Sequence, residues 1–254
     1  MKTPMKFRIV ALTSMVMLIV VASSCEFIKN LFEDDDNGQQ DEQVVDIDGN
    51  VYSTVIIGDQ EWFAENLRTT KYKSGNVIPS GYSDNEWSNL STGAYAIYSH
   101  SQIDGLSSDL DVLEAYGGLY NWYAVETGKL CPDGWRVPTD ADWTSLIDYA
   151  GGESIAGGKL KSTRTDPDAH PRWAYYPNTN ANDEYGFSAL PGGLYRSSDG
   201  GFDDVGIYGG WWSATERDAS YAWGRYIRYS SASVNRGSGR KEIGFSVRCV
   251  RDAK

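Results

Sequence analysis

The sequence has few residues that could hold a metal or a redox centre. Its 254 residues include 3 cysteines and 2 histidines. The histidines, His100 and His170, lack the spacing of a metal-binding pair, and one cysteine, Cys25, lies near the amino terminus. A structural zinc site needs four ligands, so the other two cysteines cannot form one alone. We therefore expect no metal centre of this kind and no cofactor.

Basic residues are also scarce. The chain has 23 lysines and arginines against 35 aspartates and glutamates. Three of the bases (Lys2, Lys6 and Arg8) precede every acid, so the rest of the chain is more acidic still. Such a chain repels the phosphates of nucleic acid. The charge balance therefore argues against a nucleic-acid partner.

No apolar run is long enough to cross a membrane. Residues 9–22 form a run of 14 residues, whereas a span needs about 20. The bases before this run and the small residues after it predict a secretory signal. Because Cys25 follows directly, residues 22–25 resemble the lipobox of a bacterial lipoprotein. We predict a signal peptide over residues 1–24 and a lipid on Cys25; the alternative is an ordinary cleaved signal followed by an incidental cysteine.

The chain after the signal divides into a tether and a domain. Residues 25–43 comprise the lipidated cysteine and an acidic segment that is too polar to bury a core. We interpret this segment as a disordered spacer between the lipid and a domain over residues 44–254. An acidic run so close to a lipidated cysteine also resembles the signal that exports some Bacteroidetes lipoproteins to the outer face. The expected location is therefore the cell envelope, with the protein anchored by its lipid in the outer membrane. Exposure on the cell surface is one interpretation of the acidic run, and the sequence leaves the membrane face open.

Many glycines and aromatics predict short strands and tight turns. The chain has 27 glycines, 9 tryptophans and 17 tyrosines. A turn at Gly58-Asp59 follows a β-branched run and predicts a hairpin over residues 51–64. A helix is predicted near residues 120–126, and a second one begins after Thr139, with Asp142 as its capping-box partner. Residues 68–118 are predicted to be loops, and residues 243–250 alternate like a final strand beside the first hairpin.

Two cysteines remain after Cys25 is set aside. In an exported protein, Cys131 and Cys249 can form one disulfide that closes a long loop. The alternative is a pair of buried free thiols. The sequence leaves both interpretations open.

Seven segments occur in the order found in one known family. The segments are residues 47–52, 62–67, 119–125, 131–139, 187–193, 210–216 and 246–252. They resemble the Fibrobacter succinogenes major paralogous domain (FISUMP), which is found on exported proteins of Bacteroidetes and their relatives. The resemblance extends over about residues 44–252 and informs fold and location more than activity.

A more distant resemblance suggests the fold. Residues 136–143 resemble a segment of the formylglycine-generating, sulfatase-modifying enzymes. This resemblance implies an α+β, C-type-lectin-like domain with short strands, two or three helices and long ordered loops. The oxidase activity is not implied, because those enzymes use a pair of active-site cysteines. Here a disulfide between Cys131 and Cys249 would occupy both candidates, so we do not expect an enzyme.

Aromatic side chains are the candidate ligand-binding residues, because exposed rings can stack on sugars. Trp87, Trp173, Tyr175 and Tyr176 lie in polar, loop-like surroundings. Trp211 is the fifth candidate. Neighbouring residues of a strand point to opposite faces, so at most one indole of the pair Trp211-Trp212 is expected to be exposed. The favoured alternative is that both belong to the core.

Two further hypotheses concern charge. Carboxylates at Asp199, Asp203 and Asp204, or at Asp46 and Asp48, could bind calcium, although a role in turns is favoured for both groups. Residues 221–254 carry eight bases and two acids, which could meet an acidic glycan. Pairing of those bases with acids elsewhere in the chain is the favoured alternative.

These observations predict a lipid-anchored, non-catalytic module of the cell envelope. We expect it to bind or adhere to a polysaccharide or a surface protein through its loops. The first alternative is a structural component of a surface assembly. The second is an enzyme that acts on envelope glycans, although the sequence singles out no pair of carboxylates for that chemistry.

Overall fold

The computed structural model describes residues 43–177, 181–196 and 201–254. The predicted signal peptide, the lipidation site at Cys25 and nearly all of the tether lie outside the described residues, as does Asp199. Residues Gln43–Lys254 form one compact unit. Within the described parts of the chain, no helix is both long enough and apolar enough to span a membrane.

The strands are short in the first two thirds of the domain and longer in the last third. They are β1 Val44–Val45, β2 Val51–Tyr52, β3 Thr54–Ile57, β4 Gln60–Phe63, β5 Tyr95–Ala96, β6 Leu119–Tyr120, β7 Leu194–Tyr195, β8 Phe202–Asp203, β9 Tyr208–Glu216, β10 Tyr221–Arg228, β11 Val234–Arg240 and β12 Val250–Asp252. The described residues also contain five α-helices and a 3₁₀ turn at His100–Gln102. The helices are α1 Asp84–Trp87, α2 Asp109–Tyr116, α3 Trp122–Val125, α4 Asp140–Tyr149 and α5 Glu153–Leu160.

The architecture is therefore α+β, as expected, with several small antiparallel sheets. The two largest sheets in the described residues have the strand orders β11-β10-β9 and β12-β4-β3. In the second sheet Val250 pairs with Trp62, so the end of the chain lies beside the first hairpin, as the sequence predicts. The hairpin itself is confirmed, with Ile57 opposite Gln60 across the turn.

Helix α4 forms as its sequence predicts. The Thr139 hydroxyl accepts a hydrogen bond from the Asp142 N–H, and the Asp142 carboxylate accepts one from the Thr139 N–H. This reciprocal pair satisfies donors that the first turn of a helix leaves unpaired. Trp143, Leu146 and Ile147 then bury one apolar face. The predicted helix over 120–126 is shorter, as α3, because Asn121 caps it and the preceding residues form β6.

The expected number of two or three helices is too low. Residues 68–118 are not only loops, because they contain α1 and α2. Helix α5 was missed because it contains Gly157 and Gly158, which disfavour helices. A Cβ at Gly157 would lie 2.6 Å from the carbonyl oxygen of Ser233, so close packing against that turn requires glycine there.

The predicted final strand over residues 243–250 is mostly not a strand. Gly244 bridges to Tyr195, while the next residue, Phe245, bridges to Tyr120. Each residue of this segment therefore pairs with a different neighbour, and no continuous ladder forms. The segment is buried on both sides, and only its last residue, Val250, begins a regular strand.

Cys131 and Cys249 form a disulfide, which settles the choice that the sequence left open. The bridge joins residues 118 positions apart and ties the loop after α3 to the start of β12. Both half-cystines belong to the largest hydrophobic cluster of the domain. The bridge therefore crosses the centre of the fold rather than its surface.

Candidate functional site

The three predicted tryptophans are not on the surface. Trp87, Trp173 and Trp211 are all buried, so none can stack on an external sugar. Each indole N–H donates inward, to the carbonyl oxygen of Glu242 at 2.6 Å, that of Ala189 at 3.0 Å and the Asn66 side chain at 2.9 Å, respectively. These bonds satisfy the polar atom that otherwise draws an indole to the surface. The predicted exposure of these residues is therefore wrong.

Both tryptophans of the pair in β9 belong to the core. Trp211 packs against Trp143, and Trp212 packs against Phe245 with ring centroids 4.7 Å apart. They point to opposite faces of the strand, as expected, but other elements cover both faces. The alternative that assigned both residues to the core is confirmed.

The two predicted tyrosines are exposed. Tyr175 is 66% exposed and Tyr176 is 39% exposed. The ring of Tyr176 contacts that of Tyr229 edge to face at 5.6 Å. A ligand-binding role for these residues stays a prediction, because neither tyrosine lines the clefts described below.

Most bases of residues 221–254 pair with acids of the same protein, as the favoured alternative predicted. Arg225 and Arg236 share Asp140, at 2.6 and 3.0 Å. Three more pairs are Arg240–Glu242, Lys241–Glu216 and Arg251–Glu61. These pairs neutralise most of the local charge, so this end of the chain offers little to an acidic glycan.

Among the described acidic residues considered for calcium, Asp46 and Asp203 have partners within the protein. The Asp46 carboxylate accepts hydrogen bonds from the Asp48 and Asn50 N–H groups and from the Tyr52 hydroxyl. Asp203 pairs with Arg196. Among the described residues, no group of three or more potential ligands could hold a metal ion. Calcium binding stays a prediction only where Asp199, outside the described residues, takes part.

A polar cleft of about 330 Å³ lies where several segments meet. Four of them are the loop after β4, the carboxyl end of α2, the stretch after α5 and residues 188–190, and Ser53 and Pro171 complete the lining. Seven of its thirteen lining residues are charged or carry a hydroxyl, although apolar atoms supply more of its surface. These seven include Ser53, Glu65, Arg68, Glu114, Ser162 and Arg164. A small molecule could enter this space and meet several fixed polar groups.

Arg68 is held rigidly at one wall of the polar cleft. One terminal nitrogen donates to the Glu65 carboxylate at 2.5 Å and the other to the carbonyl oxygen of Val51 at 2.7 Å. The guanidinium also lies over the Tyr52 ring, 4.7 Å from its centroid. The residue is only 8% exposed, yet its Nε has no hydrogen-bond partner.

Ser162 supplies a second unsatisfied group to the polar cleft. The residue is 4% exposed, and its hydroxyl has no hydrogen-bond partner. Buried polar atoms without partners are rare, because each costs free energy. The described residues contain three such side-chain atoms, and two of them, on Arg68 and Ser162, belong to residues that line this cleft. Nearby, the Arg164 side chain is exposed and makes no hydrogen bond or ion pair with the described residues.

The carboxylates of the polar cleft differ in how they are held. Glu65 accepts from Arg68 and from the Ser53 N–H. Burial opposes the ionisation of Glu65, but these hydrogen bonds outweigh it and lower its pKa. Glu114 is 76% exposed, and its oxygen lies 3.7 Å from the Arg68 Nε, too far for a hydrogen bond.

A buried arginine supports the floor of the polar cleft. Arg248 has no exposed surface, and its guanidinium donates to the Asn66 side chain at 3.1 Å and to the carbonyl oxygens of Phe63, Phe187 and Ser188. Burial lowers its pKa to about 9, which leaves it charged at neutral pH. Because Asn66 and Ser188 line the cleft, this cation lies directly beneath it.

A short hydrogen-bonded chain lies beside the cleft. His170 Nδ1 is 2.6 Å from the Tyr116 hydroxyl, and its Nε2 is 3.2 Å from Asp104. A hydroxyl, an imidazole and a carboxylate linked in this order also occur in catalytic sites. Here, however, Tyr116 is buried, and its hydroxyl also accepts a hydrogen bond from the Arg172 N–H. Burial raises the pKa of Tyr116 to about 12, so the hydroxyl stays protonated at neutral pH. The chain therefore holds the loop around His170 in place.

A second, aromatic cleft of about 400 Å³ lies between α1, β5 and the hairpin of β7 and β8. None of its lining residues has a buried side-chain polar atom that lacks a hydrogen-bond partner. The Tyr195 hydroxyl donates to Asp84, and Asp109 accepts from the His100 N–H at 3.0 Å. Rings and carboxylates form most of its lining, which includes Tyr82, Asp84, Tyr95, Asp109, Tyr195 and Phe202.

The profile of the Fibrobacter succinogenes major domain matches residues 55–251. The chain belongs to this family. The match confirms the resemblance seen in the sequence and includes most of the residues that line both clefts. Membership in the Fibrobacter family suggests a surface-associated protein. Neither a curated protein nor a solved structure matches the chain.

Sequence reasoning missed the residues that line the polar cleft. Glu65 and Asn66 lie in a family segment, but nothing in their pattern distinguished them from structural residues. Ser162 and Arg164 lie in a stretch without a recognisable motif, about a hundred positions further along the chain. No local signal could have joined these residues, because only the tertiary fold brings them together.

Proposed function

We propose that this protein is a non-catalytic binding module of the cell surface and that the polar cleft holds its ligand. The observation that carries the proposal is that two buried atoms on residues of one cleft, Arg68 Nε and Ser162 Oγ, have no hydrogen-bond partner. Such groups are satisfied when a ligand supplies the missing hydrogen bonds. The ligand class we favour is a polysaccharide, since its hydroxyls both donate and accept, and a surface protein is the alternative.

A binding role accounts for the carboxylates better than catalysis does. Glycoside hydrolases need one carboxylic acid with a raised pKa to protonate the leaving group. The hydrogen bonds of Glu65 lower its pKa instead, and both of its oxygens already have partners. Glu65 is thus an ionised anchor for Arg68. We therefore propose that the protein has no enzymatic activity and needs no cofactor.

The proposed fold is C-type-lectin-like. The sheet that joins the two ends of the domain, the central disulfide and the long ordered loops support this proposal. An experimental structure of the domain would test it. Superposition on a C-type-lectin-like domain should align the pairing of β12 with β4, and failure of that alignment would refute the proposal.

We propose that a lipid on Cys25 anchors the module in the outer membrane, with the acidic tether as spacer. The apolar run, the small residues and the cysteine in residues 9–25 support this. Replacing Cys25 with alanine should release the protein from the membrane fraction and abolish labelling with palmitate. Continued labelling of this variant would refute the lipid assignment.

The binding proposal can be tested with the full-length protein on a glycan array and in polysaccharide pull-downs. Ser162→Ala should abolish or strongly weaken binding without loss of stability, because the hydroxyl has no partner to lose. Ser154→Ala, at an exposed serine, is the matched control and should bind normally. If Ser162→Ala and Arg164→Gln both bind like the unmodified protein, the polar cleft is not the site. Turnover of a bound glycan that is lost in Glu114→Gln would favour an enzyme instead.

A further inference from the structure

We infer that the polar cleft recognises the carboxylate of an acidic sugar residue, a uronic acid, which binds at Arg68 in the place that Glu114 now approaches. This inference rests on the proposed function and names the substrate class of the same site. It follows from which hydrogen-bonding groups are open, which are already used and how the resident carboxylates are held.

Arg68 presents one donor in a fixed direction. Its two terminal nitrogens are engaged by Glu65 and by the carbonyl oxygen of Val51, and its planar group lies over Tyr52. Rotation of the guanidinium would break these contacts. Of its three nitrogens, only Nε has no hydrogen-bond acceptor at all. A donor that is fixed in this way is preorganised, so binding loses little side-chain entropy there.

The open groups of the polar cleft are mainly donors. Besides the Arg68 Nε–H, the Arg164 guanidinium has no partner among the described residues, and the Ser162 hydroxyl can donate as well as accept. The oxygens of Glu65 are occupied, so they offer less to a ligand. A ligand rich in acceptors complements this set best. Carboxylates pair with arginine through charge-assisted hydrogen bonds, which are stronger than neutral ones.

Glu114 marks the position that a ligand carboxylate can take. One of its oxygens lies 3.7 Å from the Arg68 Nε, too far for a hydrogen bond. The side chain is 76% exposed, so it can move aside at little cost. A ligand carboxylate at hydrogen-bond distance from Nε would compete with Glu114 and repel it.

The charge balance favours a single negative charge on the ligand. Arg68 and Arg164 line the polar cleft together with Glu65 and Glu114, while Arg248 adds a positive charge beneath the floor. A carboxylate gains from this small excess of positive charge. A phosphate dianion would instead meet stronger repulsion from the two glutamates. The volume of the cleft is at the lower end for small-molecule sites and fits a short stretch of a polysaccharide.

The test compares acidic oligosaccharides with their neutral methyl esters by calorimetric titration of the full-length protein at about 150 mM salt. The probes are oligosaccharides of galacturonate, glucuronate and mannuronate. We expect at least one acid to bind about tenfold or more tightly than its own ester, since the ester loses a charge-assisted hydrogen bond. A short peptide with a free carboxyl terminus, beside its amide, tests the same chemistry from a different source.

Three variants sharpen the test. Glu114→Gln should tighten binding of the acid severalfold, because it removes a competing charge, and should leave binding of the ester unchanged. Arg164→Gln should weaken binding of the acid more than that of the ester. Glu126→Gln, an exposed site outside the cleft, is the control for overall charge and should change neither. Because these residues are exposed, the variants should fold normally.

The outcomes separate the inference from the proposed function. Equal binding of acid and ester, still lost in Ser162→Ala, would overturn the carboxylate inference but preserve the binding cleft. Binding of the peptide acid alone would overturn the choice of a sugar. Both proposals fail if two results coincide. None of the saccharides or peptides binds in the calorimetric titrations, and Ser162→Ala binds the glycan array as the unmodified protein does. Tighter binding of an acid with the expected response of Glu114→Gln would support both.

Discussion

The two clefts of this domain are of similar size but differ in how their polar groups are satisfied. In the aromatic cleft, the Tyr195 hydroxyl donates to Asp84, and Asp109 accepts from His100. In the polar cleft, Arg68 and Ser162 each keep a buried atom without a partner. The comparison teaches that two clefts of one domain can differ in whether their buried polar atoms have hydrogen-bond partners. The proposed function assigns the ligand to the polar cleft because such unsatisfied atoms cost free energy until a partner is supplied.

The side chains that surround the two clefts also differ. Aromatic rings pack around the aromatic cleft, with Trp87 against Tyr195 at 4.7 Å and Tyr195 against Phe202 at the same distance. One buried cation, Arg248, lies beneath the floor of the polar cleft, and a second, Lys161, directly precedes the cleft residue Ser162 in the sequence. Buried charges need a full set of acceptors, whereas packed rings do not. Substitutions around the polar cleft should therefore have the larger effects on stability.

The largest effect is expected from Arg248→Met. This change removes the donors for Asn66 and for three carbonyl oxygens in the interior. We expect the free energy of unfolding to fall by about 3–5 kcal/mol, as is common when one partner of a buried polar network is lost. Urea denaturation would measure it. Arg240→Met, at an exposed arginine, should change stability by less than about 0.5 kcal/mol; similar losses for both would remove the contrast.

The disulfide that precedes β12 is expected to have the next largest effect. Replacing Cys131 and Cys249 together with alanine opens a loop that spans 118 positions. The free energy of unfolding should fall by about 2–5 kcal/mol, chiefly because the unfolded chain gains freedom. Thermal unfolding with and without reductant would measure the loss, and mass mapping without reduction should join the two cysteines. Two free thiols in the native protein would contradict the bridge.

Lys161 should make stability depend on alkaline pH. It is buried, and its Nζ donates only to the carbonyl oxygens of Tyr229 and Ser231, at 3.1 and 2.6 Å. Burial lowers its pKa to about 8 from an ordinary value of 10.5. Between about pH 8 and 10 the unfolded state thus binds more protons, so stability should rise with pH.

The rise attributable to Lys161 should be about 1–2 kcal/mol over this range. It is measured as the difference between the unmodified protein and Lys161→Met in urea denaturation at several pH values. Taking the difference cancels the titration of the tyrosines. A difference that stays constant from pH 8 to 10 would show that the lysine titrates normally in the fold.

The smallest effects on stability are expected from two substitutions, one in each cleft. Tyr195→Phe in the aromatic cleft removes a hydrogen bond to Asp84 and should cost about 1 kcal/mol. Ser162→Ala in the polar cleft removes a hydroxyl that has no partner, so it should cost nothing or stabilise the fold slightly. Thermal unfolding of both variants would test the contrast. A larger loss for Ser162→Ala than for Tyr195→Phe would contradict it.

Local sequence signals predicted the elements that depend on neighbouring residues. The turn at Gly58 and the capping box of Thr139 and Asp142 both act within a few positions, and both are present. The segment over residues 243–250 shows the limit of such signals. Apolar residues alternate with small or polar ones along this segment, which predicts one regular strand. The segment is instead buried on both sides and bridges to several different partners.

The exposure of aromatic residues depended on the tertiary structure. Trp87 and Trp173 lie in polar stretches, yet distant carbonyl groups accept their indole N–H groups and the core covers the rings. A polar neighbourhood along the chain therefore says little about which side of a loop faces water. Tyr175 and Tyr176, in the same kind of stretch, do face water.

By itself, the sequence determined the family, the mixed architecture, the paired ends of the domain and the acidic composition. Collinear segments and short-range capping and turn residues carry that information within a few positions of each other. Only the tertiary structure decided which cysteine state exists and that Arg68 and Ser162 line one cleft. These residues lie 94 positions apart. Whether a buried polar group has a hydrogen-bond partner depends on residues that are distant in the sequence, so no local pattern can predict it.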